Sequence, residues 1–327
     1  MVDKISNLQI LKRAAKKYGL SSGLVDSPYS EAIFITDGKK YFIARSKTKY
    51  GMYPTNPKFA ESLADDKATT KRFLRKFGFR VIKGKIFYTQ TKGLAPLRTE
   101  DTIAAAYKYA RDISYPVFVK PNFGSRGSNA KIIFNQTGLK KHINHLKSEK
   151  IKSFLVEKFT VRPEYRIFIV NGRVEFMYQK QRVTITGTGR HTISELLAEK
   201  DFQPDKEYLK QLLRREKKNM GSILDTNMEL TMQETANISL GAKIIDYRDT
   251  LPKQIHEWAK NISRTTGLNV LGVDVFTKGT WDDPDNYLII EVNSNPALSG
   301  IYHKGHKEKA YQIWANILKS FFQTLPK

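Results

Sequence analysis

The sequence predicts an α+β fold spread over two or three lobes, and three observations carry that reading. Apolar runs of strand length alternate with amphipathic stretches long enough to be helices. Asn171-Gly172 and Asp37-Gly38 each sit between two such runs, as hairpin turns do. Near the C-terminus, two apolar runs carry acidic groups: Gly272-Val-Asp274-Val-Phe276, and Tyr287-Leu-Ile-Ile-Glu291-Val-Asn293.

The elements follow in chain order. Residues 1–60 form a small N-terminal lobe. It opens with a helix over about 7–18, capped by Ser6 or Asn7 and stopped at Gly19. Strands over 32–35 and 40–44 follow, then a loop marked by Pro54 and Pro57, with no assignable chemistry. Residues 61–114 hold a helix from Asp66 to Phe77, a strand over 81–88 and an alanine-rich helix over 101–111. Residues 115–180 begin with the strand Tyr115-Pro-Val-Phe-Val-Lys120-Pro121, which proline keeps extended. The loop Asn122-Phe-Gly124-Ser125-Arg-Gly127-Ser128 comes next, then strands near 130–134, 154–159, 165–170 and 173–179 and a basic helix over 138–148. Residues 181–327 start with a stretch of less sheet and a charged helix over 206–218. A helix over 251–266 carries Pro252 in its first turn, where no N–H is needed. The two acidic strands and a terminal helix over 305–323 complete the chain.

Composition narrows the functional classes. The chain has 327 residues, 40% of them apolar and 11% aromatic, enough for a substantial core. It has no cysteine, which excludes thiolate metal sites, disulfides and cysteine nucleophiles. No apolar run reaches membrane-spanning length, and the first residues lack a secretory pattern, so a cytoplasmic protein without a membrane partner is expected. The net charge of +24 would attract acidic ligands. Lysines and arginines are dense over 138–158 and 206–218. A basic nucleic-acid-associated protein is the alternative reading, weakened by the lack of any zinc-finger, basic-zipper or aromatic-basic RNA signature.

The chemistry-bearing residues point to a nucleotide. In an Asp274, Glu291 and Asn293 set, hard oxygens on neighbouring strand ends suit magnesium held against phosphates. Lys120 could hold phosphate as a point charge. The glycine loop could offer backbone N–H groups to phosphates, and Glu157, Lys158 and Phe159 could bind an adenine edge and ribose. The loop could equally be a plain turn. Neither the Walker-type phosphate loop nor the dinucleotide fingerprint is present.

From Ala60 to about Phe322 the chain resembles the ATP-grasp superfamily of carboxylate–amine ligases. Within it, the pattern is similar to the ATP-grasp parts of cyanophycin synthetases and bifunctional glutathione synthetases. The motifs arrive in family order: Leu63-Ala-Asp-Asp-Lys67, Tyr115-Pro-Val-Phe-Val-Lys120-Pro, Val156-Glu-Lys-Phe159, Glu164-Tyr-Arg166, Gly272-Val-Asp274 and Glu291-Val-Asn293-Ser-Asn-Pro296. The resemblance implies an ATP-grasp fold, with two α+β lobes clasping ATP. It implies that Lys67 and Lys120 contact phosphates, that Gly124, Ser125, Gly127 and Ser128 form the loop over them, and that Glu157, Lys158, Phe159 and Glu164 contact the nucleoside. Asp274, Glu291 and Asn293 would bind Mg2+, two ions being expected and Mn2+ an alternative. Arg166, Arg182 and Asn237 would serve phosphate transfer and the carboxylate under attack. Ala242 stands where relatives carry a second glycine after Gly241.

The implied reaction is ATP-dependent amide or peptide bond formation through an acylphosphate, releasing ADP and phosphate, on an amino acid or peptide; the basic surface allows an acidic acceptor. A chain of this length leaves room for one ATP site, so neither relative's complete activity is expected. A non-catalytic ATP-binding protein is a further alternative. Self-association is implied by the resemblance alone. His191 reads as a turn residue, and His303 as a weaker candidate for the acceptor pocket.

Overall fold

The structure is a computed structural model that describes residues 5–25, 32–45, 52–90, 102–125, 127–200, 202–236, 238, 241–277, 281, 283 and 286–323. In chain order, α1 (Asn7–Lys17) is followed by β1 (Ser21–Leu24), β2 (Ala32–Thr36), β3 (Tyr41–Arg45), α2 (Lys58–Asp65) and α3 (Lys67–Lys76). Then come β4 (Gly84–Tyr88), α4 (Ile103–Asp112), β5 (Val117–Pro121), β6 (Lys131–Ile133), α5 (Gln136–Ser148) and β7 (Ser153–Lys158). The middle of the chain forms β8 (Glu164–Val170), β9 (Arg173–Gln181), β10 (Thr184–Thr186), α6 (Ile193–Ala198), α7 (Lys206–Arg215) and β11 (Glu229–Thr231). It ends with β12 (Lys243–Arg248), α8 (Lys253–Thr266), β13 (Val270–Phe276), β14 (Leu288–Asn293), α9 (Ser299–His303) and α10 (Lys307–Phe322).

Two compact units each draw on separated stretches of chain. Unit 1 comprises Met1–Val81, Tyr165–Gln179 and Asp246–Lys327; unit 2 comprises Ile82–Glu164 and Lys180–Ile245.

In unit 1, Ser6 caps α1 through a reciprocal box with Gln9, so two helix-end donors are satisfied at once. The buried face Leu8, Ile10, Leu11, Ala14 and Ala15 follows helical spacing. β1, β2 and β3 form an antiparallel sheet, with Asp37 accepting the N–H groups of Lys39 and Lys40 at the expected turn. Asp66 ends α2 and caps α3 by accepting from Thr69. The five-stranded sheet has the order β12-β9-β8-β13-β14. One face packs Ile167, Ile169, Leu271, Val273 and Val275 against Ile255, Ala259 and Ile262 of α8, whose C-terminus stops at the left-handed Gly267.

In unit 2, the sheet order is β4-β7-β5-β6, with each neighbouring pair antiparallel. Phe87, Val117, Val119, Phe154 and Val156 pack with Ala106, Ala110, Leu139, Ile143 and Leu146 of α4 and α5. A second cluster joins Ile132, Val183 and Ile185 to Tyr208 and Leu212 of α7.

Some expectations shift. The strand expected over 81–88 begins at Gly84, while Val81 makes only an isolated bridge to Ile289. The helix expected over 206–218 ends at Arg215, and Lys217 takes φ +52°. β1, α2, β12 and α9 were not legible. α2 lies directly behind Pro57, where proline reads as loop punctuation but in fact occupies the N-cap.

Candidate active site

The acidic strand ends meet in unit 1. β13 and β14 are antiparallel, with Asp274 opposite Glu291 and Gly272 opposite Asn293. Directly opposed residues and those two apart share a sheet face, so Asp274, Glu291 and Asn293 lie on one side. Asp274 is only 2% exposed. Its carboxylate accepts two hydrogen bonds from Arg166 on the neighbouring β8, Nε to Oδ1 at 2.5 Å and Nη2 to Oδ2 at 2.8 Å. This fork geometry is what arginine offers and lysine cannot. Burial works against the guanidinium charge, but Asp274, with Glu291 beyond it, outweighs burial and raises the Arg166 pKa. Gly272 makes room for this crossing: a Cβ there would lie 3.0 Å from both Arg166 Nη1 and Pro296 Cβ. The amide oxygen of Asn293 accepts the N–H of Asn295 at 2.8 Å, turning the chain away from the strand.

This donor set suits magnesium. All three groups present hard oxygens. A carboxylate or amide oxygen carries two lone pairs and can accept from more than one partner. The aspartate itself is fixed by its arginine partner, the arrangement that orients a metal ligand. Among the described residues there is no cluster of three His, Cys, Asp or Glu side chains that could hold a metal, and this set supplies two carboxylates and one amide. Lys67, also in unit 1, opens α3, where its charge adds to the positive end of the helix.

Unit 2 holds the remaining candidates. Lys120 and Glu157 lie diagonally on β5 and β7, since Phe118 is the residue opposite Glu157. Their ion pair is 3.1 Å long, with side chains 7% and 1% exposed. Gly84 of β4 faces Glu157, and a Cβ on it would sit 2.8 Å from Glu157 Cγ. Beyond the pair, the Lys158 N–H donates to the Lys83 carbonyl at 2.8 Å, and Phe159 packs partly buried on the Ile132–Leu212 cluster.

The glycine loop is held at both ends. Asn122, 1% exposed, donates its N–H to the Ser153 carbonyl. Within the loop, Ser128 N–H donates to the Ser125 carbonyl, and Gly124 and Gly127 take φ +117° and +69°. Ordinary side chains would be strained at these angles. At the far end, His142 Nε2 meets the Asn129 carbonyl at 3.1 Å and His145 Nε2 meets the Asn129 side-chain oxygen at 3.0 Å. Burial lowers the His142 pKa to about 4, so this ring is neutral at ordinary pH.

Glu164 pairs with Lys180 at 2.7 Å. Arg182 is half-buried, near enough to Tyr208 to act against the burial that raises that phenol. Asn237 lies outside the described residues. His191 meets Thr188 Oγ1 at 2.9 Å in the expected turn. His303 Nε2 meets the Ile5 carbonyl, and His306 stacks on Tyr247 with ring centroids 3.7 Å apart.

Sequence reasoning missed three partners. Lys180 and the His142–His145 pair look like ordinary members of basic stretches. Glu234 accepts the Ile132 N–H at 3.1 Å, and burial, opposed by Lys131, pushes its carboxyl up to about 7. No spacing signal marks such a long-range contact.

Residues 224–317 match the RimK-like ATP-grasp domain, and residues 66–171 match the carbamoyl-phosphate synthase L chain, ATP binding domain. The glutathione biosynthesis bifunctional protein GshAB of Desulfotalea psychrophila is 24% identical over 319 residues, covering 90% of this chain and 38% of that protein. A cyanophycin synthetase of Geminocystis herdmanii is 27% identical over 255 residues, covering 72% of this chain and 28% of the relative. A bifunctional glutathione synthetase from Pasteurella multocida shares the fold with TM-score 0.57 at 20% identity, across 98% of this chain and 44% of that one. The chain is similar to ATP-grasp proteins over both stretches and shares their fold. It spans about a third of the length of the curated relatives it matches.

Proposed function

We propose that the protein is an ATP-dependent carboxylate–amine ligase of the cytoplasm that joins amino acids or peptides. The observation that carries this reading is the oxygen set of Asp274, Glu291 and Asn293 on one sheet face, with Asp274 gripped by Arg166. The relatives, a glutathione biosynthesis protein and a cyanophycin synthetase, support it.

In this reading, Asp274, Glu291 and Asn293 would hold magnesium, which offsets phosphate charge when bound. Lys67 and Lys120 bring positive charge to the nucleotide phosphates, and Glu157, Lys158 and Phe159 receive the nucleoside. Lys120 is suited to this because a lysine ammonium can share itself between Glu157 and a phosphate oxygen. The backbone of Gly124–Ser128 closes on phosphate and keeps water from the activated group. The substrate carboxylate takes the γ-phosphoryl group, ADP leaves, and an amine displaces phosphate from the acylphosphate. The chain's part is positioning and charge, with no covalent nucleophile required. The +24 charge favours an acidic substrate.

The test is ADP and phosphate release from Mg-ATP against pooled amino acids and short acidic peptides, with mass spectrometry of the products. A new mass equal to two substrates minus water, lost in Glu291→Ala, is expected. Tight nucleotide binding without turnover on any pool would sink the ligase reading.

A further inference from the structure

The N-terminal lobe showed no chemistry of its own in the sequence, yet its buried polar groups converge on one short stretch of unit 1. Asn56, 6% exposed, spends its whole side-chain amide there. Its Nδ2 donates to the carbonyls of Val270 at 2.8 Å and Ser294 at 3.0 Å, while its Oδ1 accepts the N–H groups of Asn269 at 2.9 Å and Val270 at 2.8 Å. Two donors and two acceptor lone pairs are all an asparagine has. The residue therefore staples the start of β13 to the residue that follows β14.

Tyr53, 1% exposed, donates its hydroxyl to the Pro296 carbonyl at 2.5 Å while its ring stacks on Trp314 at 5.2 Å. Asn7 Oδ1 accepts the N–H groups of Leu298 and Ser299, both at 3.0 Å. These contacts reach backbone groups at 294, 296, 298 and 299, immediately after Asn293. Asn293 itself bonds to the Asn295 N–H inside this stretch, and Pro296 lies over Gly272 beside Arg166.

We infer that Asn56, Tyr53 and Asn7 are positioning residues for the metal-bearing strand end, so that the N-terminal lobe sets the affinity of the site for its divalent cation. The inference rests on the assignment of Asp274, Glu291 and Asn293 as metal donors. The physical reason is tolerance. Cation–oxygen distances must hold within about 0.2 Å. Two donors sit at the last turn of a strand whose continuation has no sheet partner of its own. The three side chains supply the missing hydrogen bonds, and none of them has to touch nucleotide or metal.

The test is a Mn2+ titration in the presence of ADP, followed by the electron paramagnetic resonance of free Mn2+, with the melting temperature measured beside it. Tyr53→Phe removes one hydroxyl and keeps the stacked ring. Asn7→Ala removes one acceptor, which Asn7→Asp restores. Ile35→Val, in the buried face of β2, serves as a variant of comparable stability loss that removes none of these hydrogen bonds. Tyr53→Phe and Asn7→Ala should each weaken Mn2+ binding about threefold to tenfold, the size of a lost hydrogen bond. Asn7→Asp and Ile35→Val should stay near the wild type. Equal weakening by Ile35→Val would overturn the inference, because general loosening would then account for the effect. Unchanged Mn2+ affinity in Tyr53→Phe, with faster amide exchange over 294–299, would also overturn it. A wild-type protein that takes up no Mn2+ with ADP would overturn the metal assignment and this inference together, a result distinct from either of the others.

Discussion

Unit 1 and unit 2 each bury an ion pair over a glycine, and the two pairs are built differently. In unit 1, the Arg166 fork grips both oxygens of Asp274, and Gly272 leaves space for the guanidinium. In unit 2, Lys120 reaches Glu157 at 3.1 Å as a point charge, and Gly84 leaves space for the glutamate stem. A bidentate pair fixes the plane of its carboxylate, which suits a group that must present a remaining lone pair in one direction. A lysine ammonium has three rotatable donors and can turn toward an incoming anion without abandoning its partner. The contrast is in keeping with the proposed roles, Asp274 toward a metal and Lys120 toward phosphate.

The largest effect should come from removing one partner of each pair. Asp274→Ala leaves a guanidinium that cannot neutralise itself, and should cost ~3–5 kcal/mol of stability in denaturant melts at any pH. Lys120→Met leaves Glu157, which can take up a proton. Its cost should be about 3 kcal/mol at pH 8 and shrink toward pH 5. The sign follows because burial, no longer offset by the lysine charge, raises a carboxyl's folded pKa above its unfolded one. The folded state is then favoured below the unfolded value and loses that advantage as pH rises through the folded value. Equal pH profiles for the two variants would break the comparison.

Glu234 sharpens it as a half-buried carboxylate on which burial outweighs the nearby Lys131 charge. Its folded pKa of about 7 lies above the ordinary 4.5, so its contribution is present below pH 4.5 and lost as pH rises through 7. Glu234→Gln keeps the acceptor for the Ile132 N–H and should remove that loss, flattening stability between pH 5 and 8 by ~2 kcal/mol. An unchanged slope in a pH series of melts would count against it.

The glycines give the smallest differences. Gly84→Ala meets Glu157 Cγ at 2.8 Å and the Val156 carbonyl at 3.1 Å, whereas Gly272→Ala meets Arg166 Nη1 and Pro296 Cβ at 3.0 Å. Overpacking of this kind costs ~1–3 kcal/mol. Gly84→Ala should be the worse by about 1 kcal/mol, because a backbone carbonyl in a central ladder cannot step aside. Thermal melts of the two variants side by side check the order.

Most strands and helices were legible because each carries a local period: α1 buries one face in helical spacing, and β2 and β3 alternate around Asp37-Gly38. β12 was not, since Lys243–Arg248 alternates weakly and is only half-buried along its length. The proposed metal donors could be singled out because their strand ends are short motifs. Their partner Arg166 could be named, but its bidentate grip on Asp274 could not, because the two are 108 residues apart.

The sequence by itself determined the α+β class, the order of the motifs and the residue types at the proposed site. These depend on spacing within a few residues, which local geometry dictates. Only the tertiary structure decided who pairs with whom. Lys120 took Glu157, Glu164 took Lys180, and the residues after Asn293 took Asn7, Tyr53 and Asn56 from the other end of the chain. Such choices follow from burial, which forces every enclosed polar group to find a partner wherever the fold brings one within reach.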